Sequence, residues 1–208
     1  MLIICHRINT IEELKKIPKE YGVEIDIRGY GNKLLLNHDI IDNPEKYDEL
    51  EEYLRNFNHA FIVFNIKEAG YEQKVIDLAE KYGIKEYFLL DVEFPFIYRA
   101  TRKDRFRKIA VRYSEAEPIE SVEAQFSKKG EPLLDWVWID TNTKLPLDEN
   151  IVRRLSAFKT CLVCPERWGR PEDIENYANK INELGFNLDA VMTNMKYAEK
   201  WKSLFPMK

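Results

Sequence analysis

Among the first forty residues, His6, Arg7, Glu24, Asp26 and His38 have the types and spacing that could do chemistry. Cys5-His6-Arg7 comes first, and Gly22 to Asp39 follows as GVEIDIRGYGNKLLLNHD. In that second stretch, period-two alternation puts Val23, Ile25 and Ile27 on one face of a strand, and Glu24, Asp26 and Arg28 on the other. Two acids on one face of an otherwise apolar strand are costly to bury unless a cation neutralises them. Side chains two apart on a strand point the same way, so both carboxylates can bind one hard divalent cation. From this stretch alone, an edge strand with a solvated acidic face is the alternative. The histidines weigh against it: His6 ends the apolar run 2–5 and His38 follows the apolar run 34–36. Both are placed for proton transfer at the rim of a core. Further on, Asn65 and Lys67 share one face of the run 61–67.

The elements that must position these residues are legible from pattern. Strands are expected at 2–6, 23–28, 61–67, 87–92, 109–113, 136–140, 160–164 and 190–193, with a short strand at 34–37 pairing with 23–28 across a Gly29-Tyr30-Gly31-Asn32 turn. Amphipathic helices fill the gaps. Thr10 caps the first, with Glu13 completing a capping box before Leu14 and Ile17. The others are expected at 45–57, 71–82, 94–103, 122–128, 148–158, 171–184 and 198–205. Eight strands alternating with helices, with no Pro/Gly/Ser-rich linker, predict an α/β fold with a parallel sheet. The pattern by itself leaves a closed barrel and an open doubly wound sheet both possible.

Taken in this order, the residues resemble the glycerophosphodiester phosphodiesterases, part of the wider group of phosphatidylinositol-phospholipase-C-like barrels. The family pattern runs His-Arg, then a Glu-Asn-Thr helix start, then Gly-Val-Glu-x-Asp-x-Arg, then a strand ending His-Asp. Here the pieces are His6-Arg7, Asn9-Thr10, Gly22-Val23-Glu24-Ile25-Asp26-Ile27-Arg28 and His38-Asp39. Two departures stand out. The insertion between His-Arg and Asn-Thr is cut to the single Ile8, and the Glu-x-Lys of the third strand reads Asn65-Ile66-Lys67.

The resemblance implies a compact (β/α)8 TIM barrel carrying a metal-dependent phosphodiesterase, a phosphoric diester hydrolase for a small glycerophosphodiester-type substrate. It implies that His38 protonates the leaving oxygen and that His6 activates the attacking one. Arg7 and Lys67 would grip the phosphate. Glu24, Asp26 and the carbonyl oxygen of Asn65 would hold a divalent cation, Mg²⁺ or Ca²⁺. Two other readings stay open. The short loops leave room for a polyol-phosphate or nucleotide-linked intermediate of surface-polysaccharide synthesis as substrate, and Asn65 leaves room for a non-catalytic phosphate-binding barrel.

Active sites of such barrels lie at the carboxyl ends of the strands. Beyond the residues above, those ends supply Asp91, Glu93, Arg112, Ser114, Trp138, Asp140, Cys164, Glu166, Thr193 and Asn194. Helix capping competes with catalysis for Asp140, Glu166 and Asn194. The Trp168-Gly169-Arg170 loop is a candidate for gripping a polar headgroup.

Size and composition bound the rest. A chain of 208 residues suits one domain over 1–208 with a sizeable core. Its formal charge of −4 offers no footprint for nucleic acid. No long apolar run predicts a membrane anchor, and a strand beginning almost at Met1 leaves no room for a signal peptide. Three cysteines, including Cys161-x-x-Cys164 in a strand-like run, read as reduced core thiols and predict a cytoplasmic location.

Overall fold

The structure is a computed structural model and describes residues 1–205. The parallel strands are β1 (Leu2–Cys5), β2 (Gly22–Tyr30), β4 (Phe61–Ile66), β5 (Tyr87–Leu90), β6 (Ala110–Tyr113), β7 (Trp136–Ile139), β8 (Lys159–Val163) and β9 (Ala190–Thr193); β3 (Lys33–Leu36) runs antiparallel beside β2. Hydrogen-bonded neighbours follow the order β5-β4-β2-β1-β9-β8-β7-β6. The helices are α1 (Ile11–Leu14), α2 (Leu50–Asn56), α3 (Glu72–Lys81), α4 (Phe94–Arg102), α5 (Ile119–Glu123), α6 (Glu149–Leu155), α7 (Ile174–Glu183) and α8 (Ala198–Leu204). Eight parallel strands in sequential order, alternating with helices, are those of a compact (β/α)8 TIM barrel. Among the described residues no helix is long and apolar enough to cross a membrane.

Two compact units divide the chain: residues 4–97, and the remainder. In the first, β2 buries Glu24 and Asp26 as fully as Val23, Ile25 and Ile27, so neither of its faces is solvated there. β2 pairs in parallel with β1 (Ile4↔Gly22) and with β4 over six residue pairs, from Gly22↔Phe61 to Ile27↔Ile66. Gly22 is needed where β1, β2 and β4 converge, since a Cβ there would lie 2.9 Å from Phe61 Cβ and 3.2 Å from Ile4 Cγ1. The β2–β3 turn is tighter than the four residues expected. Tyr30 pairs with Lys33, so only Gly31 and Asn32 remain in the loop, and Gly31 takes the left-handed backbone that a two-residue turn requires.

The capping box at Thr10 forms as expected, but α1 stops at Leu14, short of Ile17. The helix expected at 45–57 is broken. A 3₁₀ turn covers Pro44–Lys46, and α2 begins only at Leu50. Tertiary pairing overrides the helical pattern here: Glu49 bridges Leu35 on β3, and the Leu36 amide donates to the Asp48 carbonyl.

In the second unit, β6, β7, β8 and β9 pair in parallel, each with the next. α5 lies earlier than the expected 122–128, starting directly after Pro118. The helix cannot continue to 128 because Phe126 bridges Pro132 around Gly130. Proline-led α7 opens with a 3₁₀ turn at Pro171–Asp173 before settling into α-helix. Cys5, Cys161 and Cys164 are buried thiols outside any disulfide, as the sequence suggested.

Candidate functional site

All seven candidate residues lie in the unit of residues 4–97, and six of them meet at the ends of β1, β2 and β4. The β2–β4 register sets Asp26 directly beside Asn65. Glu24 and Asp26 are both buried, 1% and 0% exposed, and every carboxylate oxygen has a donor. Asn65 Nδ2 donates to Glu24 Oε1 at 2.8 Å and to Asp26 Oδ1 at 3.2 Å. The Arg7 amide donates to Glu24 Oε2 at 2.8 Å, and Asn9 Nδ2 donates to Asp26 Oδ2 at 3.0 Å. Lys67 Nζ lies 3.1 Å from Asp26 Oδ1 and 3.8 Å from Asp91 Oδ2.

Burial, and then the neighbouring Asp26 charge, push the Glu24 carboxyl up to about 7. The Asn65 amide and the Arg7 backbone N–H work in the opposite direction. The pair therefore lacks the full neutralisation that two buried acids require. Asn65 carries the complementary defect: its Oδ1 is buried with no hydrogen-bond partner.

Positive charge and a proton carrier flank the acids. His6 Nε2 is 3.8 Å from Glu24 Oε2. Arg7 Nε stands 3.9 Å from Asp26 Oδ2 and is buried without a hydrogen-bond partner, while the Arg7 side chain as a whole is 35% exposed. Arg7 holds a left-handed backbone (φ 53°), and so does Asp91 (φ 58°). Non-glycine residues keep such strained conformations where the surrounding structure enforces them, often at functional sites.

His38 lies just past β3, and the structure anchors it through its backbone. Arg28 Nε and Nη2 both donate to the His38 carbonyl, at 3.1 and 3.0 Å, and the adjacent Asn37 amide donates to the Asp26 carbonyl. His38 Nδ1 meets Asp39 Oδ1 at 2.9 Å, a contact that holds the Asp39 carboxyl below its ordinary value.

By sequence the chain matches no family profile and no curated protein. Solved structures do match. A glycerophosphoryl diester phosphodiesterase from Parabacteroides distasonis ATCC 8503 superposes with a TM-score of 0.66 at 13% identity, covering 100% of this chain and 88% of that one. A glycerophosphodiester phosphodiesterase from Agrobacterium tumefaciens str. C58 gives 0.64 at 13%, covering 92% of this chain and 96% of that one. The chain has the fold of these two phosphodiesterases.

Within that fold, some contributions were not foreseen. Asn9 grips Asp26 from two sides, since its Oδ1 also accepts the Asp26 amide at 2.8 Å. Its only sequence signal was the Asn-Thr helix start. Among the described residues no group of three or more His, Cys, Asp or Glu is arranged to hold a metal ion; the third position beside Glu24 and Asp26 is the Asn65 amide.

The second unit has its own polar strand ends, and several serve the fold. Asp140 is not a helix cap: it accepts from Arg112 Nη1 at 2.5 Å and from the indole N–H of half-exposed Trp168 at 3.2 Å. Glu166 links the ends of β8 and β9 by accepting from the Thr193 hydroxyl. Asn194 caps a 3₁₀ turn through the Lys196 amide. Arg170, expected to grip a headgroup, spends its guanidinium on the Thr141 and Asn142 carbonyls, Asp173 and Tyr177.

Proposed function

We propose that this chain is a phosphodiesterase of the glycerophosphodiester phosphodiesterase family, and that residues 1–208 form one catalytic domain acting on a small water-soluble glycerophospho-alcohol. The observation that carries the reading is the assembly of His6, Arg7, Glu24, Asp26, Asn65 and Lys67 in one cluster. The shared fold supports it. Such a diester is a deacylated phospholipid, which puts the reaction in lipid metabolism, and three reduced cysteines suit the cytoplasm.

A divalent cation fits the residues present on one specific ground. The buried Asn65 Oδ1 has no partner, and reversing the amide would offer that oxygen to the side where Glu24 and Asp26 lie. Glu24, Asp26 and Asn65 would then hold Mg²⁺ or Ca²⁺, which when bound supplies charge stabilisation to the phosphoryl oxygens.

The chain's own side chains supply the remaining chemistry. Arg7, whose Nε has no hydrogen-bond partner, and Lys67 neutralise the phosphate. With His38 Nδ1 engaged by Asp39, Nε2 is left to protonate the departing alcohol. His6 removes a proton from the attacking oxygen. In a glycerophospho-alcohol that oxygen is the substrate's own hydroxyl beside the phosphate-bearing carbon. Its O–P bond forms as the P–O bond to the alcohol breaks, giving a cyclic phosphate and the free alcohol. Attack within one molecule gains effective concentration from proximity.

A panel of glycerophosphodiesters, assayed with and without added Mg²⁺ or Ca²⁺, tests the activity. Phosphorus NMR should reveal a cyclic ester early in the reaction, and a deoxy analogue lacking the hydroxyl should bind but resist cleavage. No hydrolysis of any diester would overturn the function. Equal cleavage of the deoxy analogue would replace cyclisation with direct attack by water.

A further inference from the structure

Lys67 stands where an incoming cation has to act. Asn65 Nδ2 bridges Glu24 Oε1 and Asp26 Oδ1, so a cation held by both acids and by Asn65 would meet Asp26 at Oδ1. That oxygen is engaged by Asn65 Nδ2 and by the Lys67 ammonium at 3.1 Å, and Lys67 is largely buried at 15% exposure. A second acid, Asp91, lies 3.8 Å from the same ammonium and gives it somewhere else to lean.

We propose that Lys67 is the residue through which cation and phosphate binding are coupled: its ammonium neutralises Asp26 in the absence of a cation, is displaced when a cation takes Oδ1, and then binds the phosphate. The proposal rests on the cation-assisted phosphodiesterase reading and adds an order to it.

The physical reasons are charge and reach. Lys67 Nζ lies 3.1 Å from Asp26 Oδ1, and a divalent ion on that oxygen would repel an ammonium so close to it. Once detached from Asp26, the largely buried ammonium keeps only the more distant Asp91 carboxylate, and an incoming phosphate dianion or diester is a second anionic partner for it. Linkage makes the effect reciprocal: if the cation strengthens phosphate binding, phosphate strengthens cation binding by the same factor.

Isothermal titration at about pH 8 separates the terms, with Ca²⁺ alone and then sn-glycerol 3-phosphate as probes. Lys67→Met should bind Ca²⁺ about tenfold or more tighter than wild type, because the competitor is gone, while Lys67→Arg stays near wild type. In wild type, saturating Ca²⁺ should tighten glycerol 3-phosphate binding by about tenfold, an increment that Lys67→Met loses. Lys67→Gln gives the same two readings if the methionine variant does not fold. Unchanged or weaker Ca²⁺ binding in the neutral variants overturns the coupling, and so does a wild-type phosphate affinity indifferent to Ca²⁺. Neither result touches the activity, which stands or falls on diester hydrolysis by the wild-type protein.

Discussion

Glu24, whose carboxyl is raised, and Asn65, whose buried Oδ1 has no hydrogen-bond partner, each carry a measurable signature. The Glu24 carboxyl, raised from an ordinary 4.5 to about 7, holds its proton more tightly folded than unfolded. Between those values the unfolded chain has released the proton that the folded chain keeps, so this group's contribution to stability falls as pH rises through the window and is level above it. Glu24→Gln cannot ionise. Its melting temperature minus that of wild type should therefore grow between about pH 4.5 and pH 7 and then stay constant, as followed by circular dichroism. A difference independent of pH would mean that Glu24 is fully neutralised in the fold. Asn65→Glu restores a third carboxylate and should tighten Ca²⁺ binding in calorimetry; weaker binding would remove Asn65 from the ligand set. His6→Ala and His38→Ala should each lower turnover roughly 10²-fold or more with the fold intact, since both side chains sit at a rim rather than in the core. Near-normal rates in either variant would end its acid–base assignment.

At the level of the element, β2 does most of the positioning. One strand carries both acids on one face and three core residues on the other, and its register against β4 sets Asp26 beside Asn65. The close approach at Gly22 holds that register. Gly22→Ala forces a methyl to 2.9 Å from Phe61 Cβ, which the two strands can relieve only by moving apart. It should cost roughly 1–3 kcal/mol, the usual range for overpacking, read as a lower urea midpoint at unchanged slope. An unshifted midpoint would show that β1 and β4 yield easily there. Asn9 and Arg28 extend the same logic to the flanks: the first clamps Asp26 and the second clamps the backbone of His38.

For the whole molecule, the sequential strand order passes through β1. The Leu2 amide donates to the Asp189 carbonyl, while Ile4 and Cys5 pair with β2. As the single domain proposed for residues 1–208, the protein should melt in one calorimetric transition, with equal van't Hoff and calorimetric enthalpies. Two resolved transitions would make the units separate domains.

What the sequence determined by itself is the local part. Short apolar runs between helical patterns located all eight parallel strands, and period-two alternation in β2 put Glu24 and Asp26 on one face, because a strand's side-chain geometry depends only on its own backbone. The Thr10–Glu13 capping box was legible for the same reason. Tertiary structure decided what depends on a distant partner. The pairing of Asp48 and Glu49 with β3 cut short a helix whose pattern was sound, and the Phe126–Pro132 bridge did the same after α5. In the site, the identity of Asn65 was visible in the sequence, but the direction of its amide was not. Which end faces the acids depends on the β2–β4 register, on Lys67 reaching Asp26, and on Arg7 and Asn9 filling the other carboxylate oxygens. Hydrogen-bond satisfaction in a buried cluster is a property of all its members at once, and these members come from three strand ends up to sixty residues apart.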